Sequence, residues 1–599
     1  MSNTLINLSL AAVSESYLSA STTPRQLILQ LRQQAIAQSD YNAWIHLLTE
    51  DELEPYFLAL EQADSDALPL YGVPFAIKDN IDLAGIATTA ACPDFAYTPT
   101  QSAFVVEQLI AAGAVPLGKT NLDQFATGLV GVRSPFGEGK NTFNKDYISG
   151  GSSAGSAIAT ALGQVSFALG TDTAGSGRVP AALNNLIGHK PSLGLLSTRG
   201  VVPACRTLDC VSIFALNTDD AATVLDVAAC YDEQDPYARP NHYANRKRFF
   251  GNTKAAFTFA VPAQLDFQHN TETEKLFDQA VAHFIALGGE KIEINFEPFL
   301  TVAKLLYEGP WVAERWLATE QVKTESMLPV IQTIIKGAEG TTAAQAFAAQ
   351  YRLAELKRQC DALIAGVDFT VIPTSPTFYT RQQLREQPIA HNSTLGTYTN
   401  FVNLLDYTAT AVPIGFTDCG VPWGVSLFSH AFDDIRLLSY SQQLQQACGL
   451  PMATGSHPLP QPAIAKQAAI ESTVEVVVCG AHLEGQPLNW QLSERGATLM
   501  AKTHSASNYL LYALADGKRP AMMRDEDDGV AIEVEVWSLP IENFGSFVAG
   551  IPAPLGIGKV ELADGRWLSG FIADASGLVG ASNISSYGGW RHWLAAAKS

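Results

Sequence analysis

Basic side chains are scarce in this sequence: 38 Lys and Arg stand against 59 Asp and Glu in 599 residues, a formal net charge of −21, with a pI near 4.9. A chain this acidic repels phosphate, so no nucleic-acid partner is expected unless another protein supplies the basic face. Cysteine is sparse as well. Cys92, Cys205, Cys210, Cys230, Cys360, Cys419, Cys448 and Cys479 show neither CxxC pairing nor zinc-type spacing, which points to reduced thiols and to no metal. No basic n-region followed by an apolar run opens the chain, so the expected location is the cytoplasm. Charge is missing altogether from residues 147 to 171, YISGGSSAGSAIATALGQVSFALGT. About 18 uncharged residues can span a bilayer, but Gly150, Gly151, Ser152, Ser153, Gly155 and Ser156 give this run a polar, turn-prone start that a membrane span would not tolerate. The reading that remains is a Gly/Ser loop, a small-residue helix over 154–162 and a buried strand over 165–169.

Backbone that passes close to a substrate needs residues without bulky side chains, and glycine also reaches dihedrals that others find costly. Two hydroxyls stand in such surroundings, Ser152 and Ser176; a lone serine in a Gly-rich loop is ordinarily a turn residue. Upstream, Lys78 directly follows the apolar run 73–77, which reads as a short buried strand. Desolvation disfavours an ammonium and lowers its pKa, which is how a lysine becomes a general base near neutrality. The alternative is a strand-end lysine paired with Asp79 or Asp82.

Three ordered motifs, PFAIKDNID at 74–82, GGSSAGS at 150–156 and GTDTAGSGRVPA at 170–181, resemble those of the amidase signature family. The resemblance covers about residues 20–450, including GHKPSLGLLSTRGVVP at 188–203. It implies an α/β fold with a mixed β-sheet core covered by helices. It also implies that Ser176 is the nucleophile, Ser152 a bridging serine held by a cis peptide bond, and Lys78 the base, with no cofactor. Backbone N–H groups of Thr173, Ala174, Gly175 and Ser176 would form the oxyanion hole, and Asp172 with Arg178 a structural clamp. Two departures from the commoner pattern stand out. AGS replaces GGS before the nucleophile, and Ala174 adopts positive φ less cheaply than glycine. His189 replaces a leucine before Lys-Pro, and is expected to be a packed, hydrogen-bonded core histidine.

Residues 305–316, LLYEGPWVAERW, suggest a helix opened by Pro310, with Arg315 in its second turn and Tyr307 in the approach. By themselves these residues fit a surface helix with a structural Arg–Glu pair equally well. Within an amidase-signature chain, YEGPWVAER resembles the allophanate hydrolase subgroup. That resemblance makes Tyr307 and Arg315 the carboxylate-binding pair, with Gly128 of FATGL meeting the substrate by its backbone. The implied substrate is small and anionic, allophanate (urea carrying a carboxylate), for which a planar guanidinium is a natural bidentate partner.

From 451 the texture changes to PMATGSHPLPQPAIAKQ, a stretch rich in proline and small residues without apolar periodicity. The expected division is an amidase signature domain over 1–450, a linker over 451–471 and a smaller C-terminal domain, α/β or mainly β, over 472–599. Strand-like segments in the last part are 474–479, 509–514 and 530–539. In the subgroup such a domain is associated with decarboxylation of N-carboxycarbamate, and His482 is the candidate general acid/base. It reads equally well as a structural histidine, and the domain as an oligomerising one. A helix over 24–38 would cap the fold or join two protomers. The family expectation is a homodimer, with a functional link to a biotin-dependent urea carboxylase and no membrane association. Two other functions stay open: the ammonia-releasing component of a tRNA-dependent amidotransferase, which shares the three motifs, and a non-catalytic amidase-like scaffold.

Overall fold

The computed structural model describes residues 6–461 and 473–596. They form two compact units. The first holds residues 6–241 and 247–461, the second 242–246 and 473–596. The short segment 242–246 was not expected with the C-terminal part; the Tyr243 N–H donates to the Glu494 carbonyl at 3.3 Å.

Eleven strands of the first unit make one mixed sheet. Their order is Trp44–Leu47, Val115–Thr120, Pro74–Lys78, Phe167–Asp172, Cys210–Ala215, Ile187–Lys190, Tyr407–Phe416, Pro422–His430, Phe369–Pro373, Phe257–Pro262 and Gly289–Ile294. Pro74–Lys78 runs parallel to both of its neighbours and is buried at all five positions, as a strand covered on both faces must be. Phe75 stacks on Phe167 of the next strand with ring centroids 5.2 Å apart. Because the two strands are parallel, their carboxyl ends lie side by side, which is where open α/β sheets form their crevices. Lys78 and Thr171 therefore meet although they are 93 residues apart in the chain.

The expected strand at 165–169 begins two residues later and continues to Asp172, because Gly170, Thr171 and Asp172 extend the ladder against Ser212, Val211 and Cys210. The small-residue helix is Ala154–Ala161, ended by Leu162, and is buried at every position. It carries no charge because no face of it meets water. Gly155 lets it approach the backbone of Ala43 and Asn121: a Cβ there would collide with the Ala43 carbonyl and stand 2.5 Å from the Asn121 nitrogen. The amphipathic helix near the N-terminus is Pro24–Ala37, opened by a Thr23–Gln26 capping box. Its apolar face, Leu27, Ile28 and Leu31, joins the core of its own unit.

One expectation is corrected. Tyr307 does not lie in a loop leading to the Arg315 helix; it occupies the last turn of a separate helix, Glu297–Glu308. The next helix is Val312–Thr319, so Arg315 sits at the end of its first turn, not in the second. Pro310 lies in the break because proline cannot continue the first helix.

Of the expected linker, residues 451–461 carry neither helix nor strand, yet Met452 and Ala453 are buried in the core of the first unit. Residues 462–471 lie outside the described residues. The second unit has a five-stranded sheet, Thr498–His504, Glu533–Pro540, Thr473–Val478, Trp567–Ala573 and Leu555–Glu561, and a three-stranded one, Pro520–Arg524, Tyr509–Ala513 and Ser582–Asn583. With the helices Ile541–Ala549 and Trp590–Ala596, they enclose a core of their own. Among the described residues no helix is long and apolar enough to cross a membrane.

Candidate active site

Lys78 ends its strand fully buried, and its Nζ donates to Ser152 Oγ at 2.8 Å and to Thr171 Oγ1 at 2.7 Å. Neither acid that might have paired with it does so. Asp79 binds Lys119 at 3.1 Å and accepts from both the N–H and the hydroxyl of Thr89, and Asp82 accepts from Thr88 and Tyr97. Burial draws the Lys78 pKa from 10.5 down to about 7, against the pull of Asp123, Asp209 and Asp172 and with the help of the Arg315 charge. Thr171 escaped the sequence reading, although its place in GTD, on a strand beside the serine loop, was the signal for it.

The bond between Gly151 and Ser152 is cis. The loop around it is organised by Asp123, also missed. Its N–H donates to the Ser152 carbonyl at 3.0 Å, and its carboxylate accepts from the N–H groups of Val130, Gly131 and Arg133 at 2.9–3.1 Å. The Ser176 hydroxyl donates to the Gly128 carbonyl at 3.4 Å. Among the described residues no hydrogen bond joins Ser152 to Ser176, so the Lys78–Ser152 link is formed and the Ser152–Ser176 link is not. Such contacts commonly tighten only in the complex.

The turn before Ser176 is held by Asp172. Its carboxylate makes two hydrogen bonds with the Arg178 guanidinium, at 2.9 and 3.0 Å, and accepts the N–H groups of Gly175 at 2.8 Å and Gly177 at 3.0 Å. Burial opposes ionisation of Asp172, but the Arg178 charge and hydrogen bonds outweigh it and hold the carboxyl below its usual range. Of the four expected oxyanion donors, Gly175 is thus already engaged. The N–H groups of Thr173, Ala174 and Ser176 make no hydrogen bond within the chain among the described residues. The positive φ of the turn falls on Gly175, at +132°, and not on Ala174, which explains why alanine is accepted there. His189 is fully buried, as expected, with Nδ1 at 2.9 Å from Thr410 Oγ1 and Nε2 at 3.4 Å from Asp434.

Arg315 closes the other side. It is 2% exposed, and no carboxylate lies within ion-pair distance of it among the described residues. Its Nη1 donates to Thr127 Oγ1 at 3.0 Å and to the Ala126 carbonyl at 3.4 Å. Nε and Nη2, the side edge of the fork, make no hydrogen bond among the described residues. The guanidinium lies over the Tyr307 ring, 5.7 Å from its centroid, so the helix break brings these two residues together. Glu314, the acid next to Arg315, turns away to Thr207. Asp209, a third residue missed from sequence, accepts from Thr173 Oγ1 at 2.5 Å and from the N–H groups of Ala204 and Cys205; burial lifts its pKa to about 6.

In the second unit, His482 follows the strand Thr473–Val478 and lines a cavity of about 230 Å³ with Cys479, Gln491, Arg519, Pro520 and Phe571. Its Nε2 is 2.9 Å from Gln491 Oε1; a carboxamide oxygen can only accept, so Nε2 carries the hydrogen and Nδ1 the lone pair. The ring stacks on Phe571 and meets Phe547 edge-on. Burial lowers its pKa.

Known proteins share both parts of this architecture. The Amidase family profile matches residues 27–438, and the Allophanate hydrolase C-terminal domain profile matches 474–595. Urea amidolyase of Saccharomyces cerevisiae is 43% identical over 597 residues, covering 96% of this chain and 32% of that protein; the chain thus spans about a third of the length of that relative. A solved structure of Kluyveromyces lactis allophanate hydrolase superposes with a TM-score of 0.74 at 39% identity, over 99% of this chain and 100% of that one. A glutamyl-tRNA(Gln) amidotransferase polypeptide of Methanosarcina acetivorans is 31% identical over 417 residues, 63% of this chain and 86% of that protein. This chain belongs to the amidase family and carries an allophanate hydrolase C-terminal domain.

Proposed function

We propose that the chain is an allophanate hydrolase whose first unit releases ammonia from allophanate and whose second unit decarboxylates the product. The observation that carries the reading is Arg315: a buried guanidinium with no acid partner among the described residues, with two donors free on one edge, beside a lysine whose proton affinity burial has lowered. Asp209 and Glu314 steady the Arg315 charge against its burial, but neither bonds its free edge, which the carboxylate of allophanate takes bidentately. The Tyr307 hydroxyl, which makes no hydrogen bond among the described residues, and the free Gly128 N–H complete the grip.

With the carboxylate so held, the terminal amide carbon faces Ser176. Neutral Lys78 accepts the proton of Ser152, Ser152 accepts that of Ser176, and the Ser176 oxygen attacks. The oxyanion is met by the unengaged N–H groups of Thr173, Ala174 and Ser176, one of which is worth roughly 3–4 kcal/mol of barrier. The protons return along the same path to the leaving nitrogen. Ammonia departs, and water releases N-carboxycarbamate from Ser176. In the second unit His482, once protonated at Nδ1 by water, passes that proton to the central nitrogen as the bond from this nitrogen to one carboxylate breaks, giving carbon dioxide and carbamate. Carbamate then decomposes unaided.

This reading divides the chain as expected, into 1–450, a linker over 451–471 and 472–599. It implies a cytoplasmic homodimer and an upstream biotin-dependent carboxylase that makes allophanate from urea. The test is a panel of allophanate, biuret, malonamate and glutamine with ammonia detection. Turnover of allophanate above the others is expected; release from glutamine with none from allophanate would overturn the assignment in favour of an amidotransferase component.

A further inference from the structure

Arg133 is a second buried cation beside the site, with no task in the reading above. It is 3% exposed and forms no ion pair among the described residues. Its Nη1 donates to the Thr127 carbonyl at 2.9 Å and its Nη2 to the Pro388 carbonyl at 2.5 Å. Thr127 is therefore held by two arginines, Arg133 on its carbonyl and Arg315 on its hydroxyl. The next residue is Gly128, whose carbonyl takes the Ser176 hydroxyl. A Cβ on Gly128 would stand 3.0 Å from Arg133 Nη1 and 2.7 Å from Asp123 Oδ2, so only glycine fits between that guanidinium and the reacting side. Burial and the repulsion of Arg315 both work against the Arg133 charge, while Asp123 supports it, and the balance lies below the usual arginine range. On its far side Arg133 lines a cleft of about 460 Å³ with Val130, Leu328, Pro388 and Ile389 and with the ion-paired Glu138 and Arg385.

Two like charges buried on either side of one residue raise the potential there for any anion, and Arg133 also offsets the Asp123 carboxylate, which lies close to Gly128 and would otherwise repel one. We propose that Arg133 is a positioning and specificity-determining residue: from behind the Thr127–Gly128 segment it supplies a second positive charge that makes the site take a carboxylated amide in preference to a neutral one. The inference rests on the allophanate reading and names a determinant that Arg315 alone would not provide.

The experiment compares allophanate with neutral biuret in the full-length wild type and in the Arg133→Gln and Arg133→Lys variants, with thermal melts alongside. For Arg133→Gln, KM for allophanate is expected to rise about tenfold or more, a typical cost of losing a desolvated charge beside an anion, with kcat changed less than the KM. Its kcat/KM on biuret should fall far less than that on allophanate, and Arg133→Lys, which keeps the charge, should recover most of the allophanate KM. Equal losses on both substrates, with Lys no better than Gln, would make Arg133 a loop brace and overturn the proposal, as would an unchanged allophanate KM. A wild type inactive on allophanate defeats the functional reading itself, before any variant is compared.

Discussion

In the first unit a buried lysine lies within the field of three carboxylates, those of Asp123, Asp209 and Asp172. In the second, a partly buried histidine faces one carboxamide and two phenyl rings. Burial acts on both bases in the same direction, since it penalises the charged form of each, but the outcomes differ because the starting points differ. Lysine begins far above neutrality, and desolvation brings it to about 7, where it can take a proton and return it. Histidine begins near neutrality, and the same penalty moves it further toward the neutral form. The lysine site also needs counter-charges, without which burial would carry its pKa lower still. The histidine site has no acid against its ring among the described contacts, and relies on Gln491 to set its tautomer.

The contrast between the two bases is tested by separating the two reactions. The largest effect is expected in the first unit. Ser176→Ala and Lys78→Ala should each lower ammonia release by about 10⁴-fold or more, as for removal of a nucleophile or base that acts as a unit with its partners. Residual turnover within about tenfold of wild type in either variant would remove that residue from the relay. Next comes Arg315→Ala, for which kcat/KM on allophanate should fall roughly 10²–10³-fold, the range for a desolvated charge partner, while biuret loses much less. Equal losses on the two substrates would show that Arg315 only braces the helix break.

His482→Ala probes the contrast from the second unit. Decarboxylation of N-carboxycarbamate, followed by trapping carbon dioxide, should slow about 10²-fold, a usual share for a general acid or base, with the first ammonia released at the wild-type rate. Loss of that first ammonia would mean the two units are not chemically separate. The smallest and most diagnostic effect is in pH. The proposed relay requires neutral Lys78, so kcat/KM should rise with unit slope as pH climbs to about 7 and then level off. The stability sign is the same: the folded pKa lies below the unfolded 10.5, so the unfolded chain binds the extra proton between about 7 and 10.5 and stability grows with pH over that window. In Lys78→Met this growth should vanish, and its melting temperature should gain on wild type as pH is lowered toward about 7. A wild-type kcat/KM profile with no rise on the acid side of about 7 would sink the neutral-lysine mechanism.

Much of the first site was legible because its residues come in contiguous runs whose local demands are strict. Gly150 and Gly175 stand at positive φ, Gly155 sits where a Cβ would collide, and the small-residue helix has no charge because it has no wet face. What escaped were residues whose meaning depends on distant partners. Asp123 is an ordinary loop acid until the chain folds it under Val130 and Arg133. Thr171 reads as strand filler until Lys78 arrives from the neighbouring strand. Asp209 and Thr173 are 36 residues apart and meet only in the fold. The Tyr307 placement failed for a related reason. A proline marks where a helix stops or starts, but not which side of it an aromatic residue occupies, and here two helices meet at the break.

The chemistry available to this protein is written in its local sequence: a lysine at the end of an apolar strand, two serines among glycines, and an arginine after a helix-breaking Gly-Pro. Those are properties of side-chain size, charge and backbone freedom, and they need no distant partner. Folding chose which acids would pair elsewhere and leave Lys78 to the serine, which N–H groups would stay open after Asp172 had taken its share, and that Arg315 would be buried with no carboxylate at ion-pair distance among the described residues. These outcomes depend on distance and desolvation, and both come into being only when strands and loops far apart in the chain are packed together without water between them.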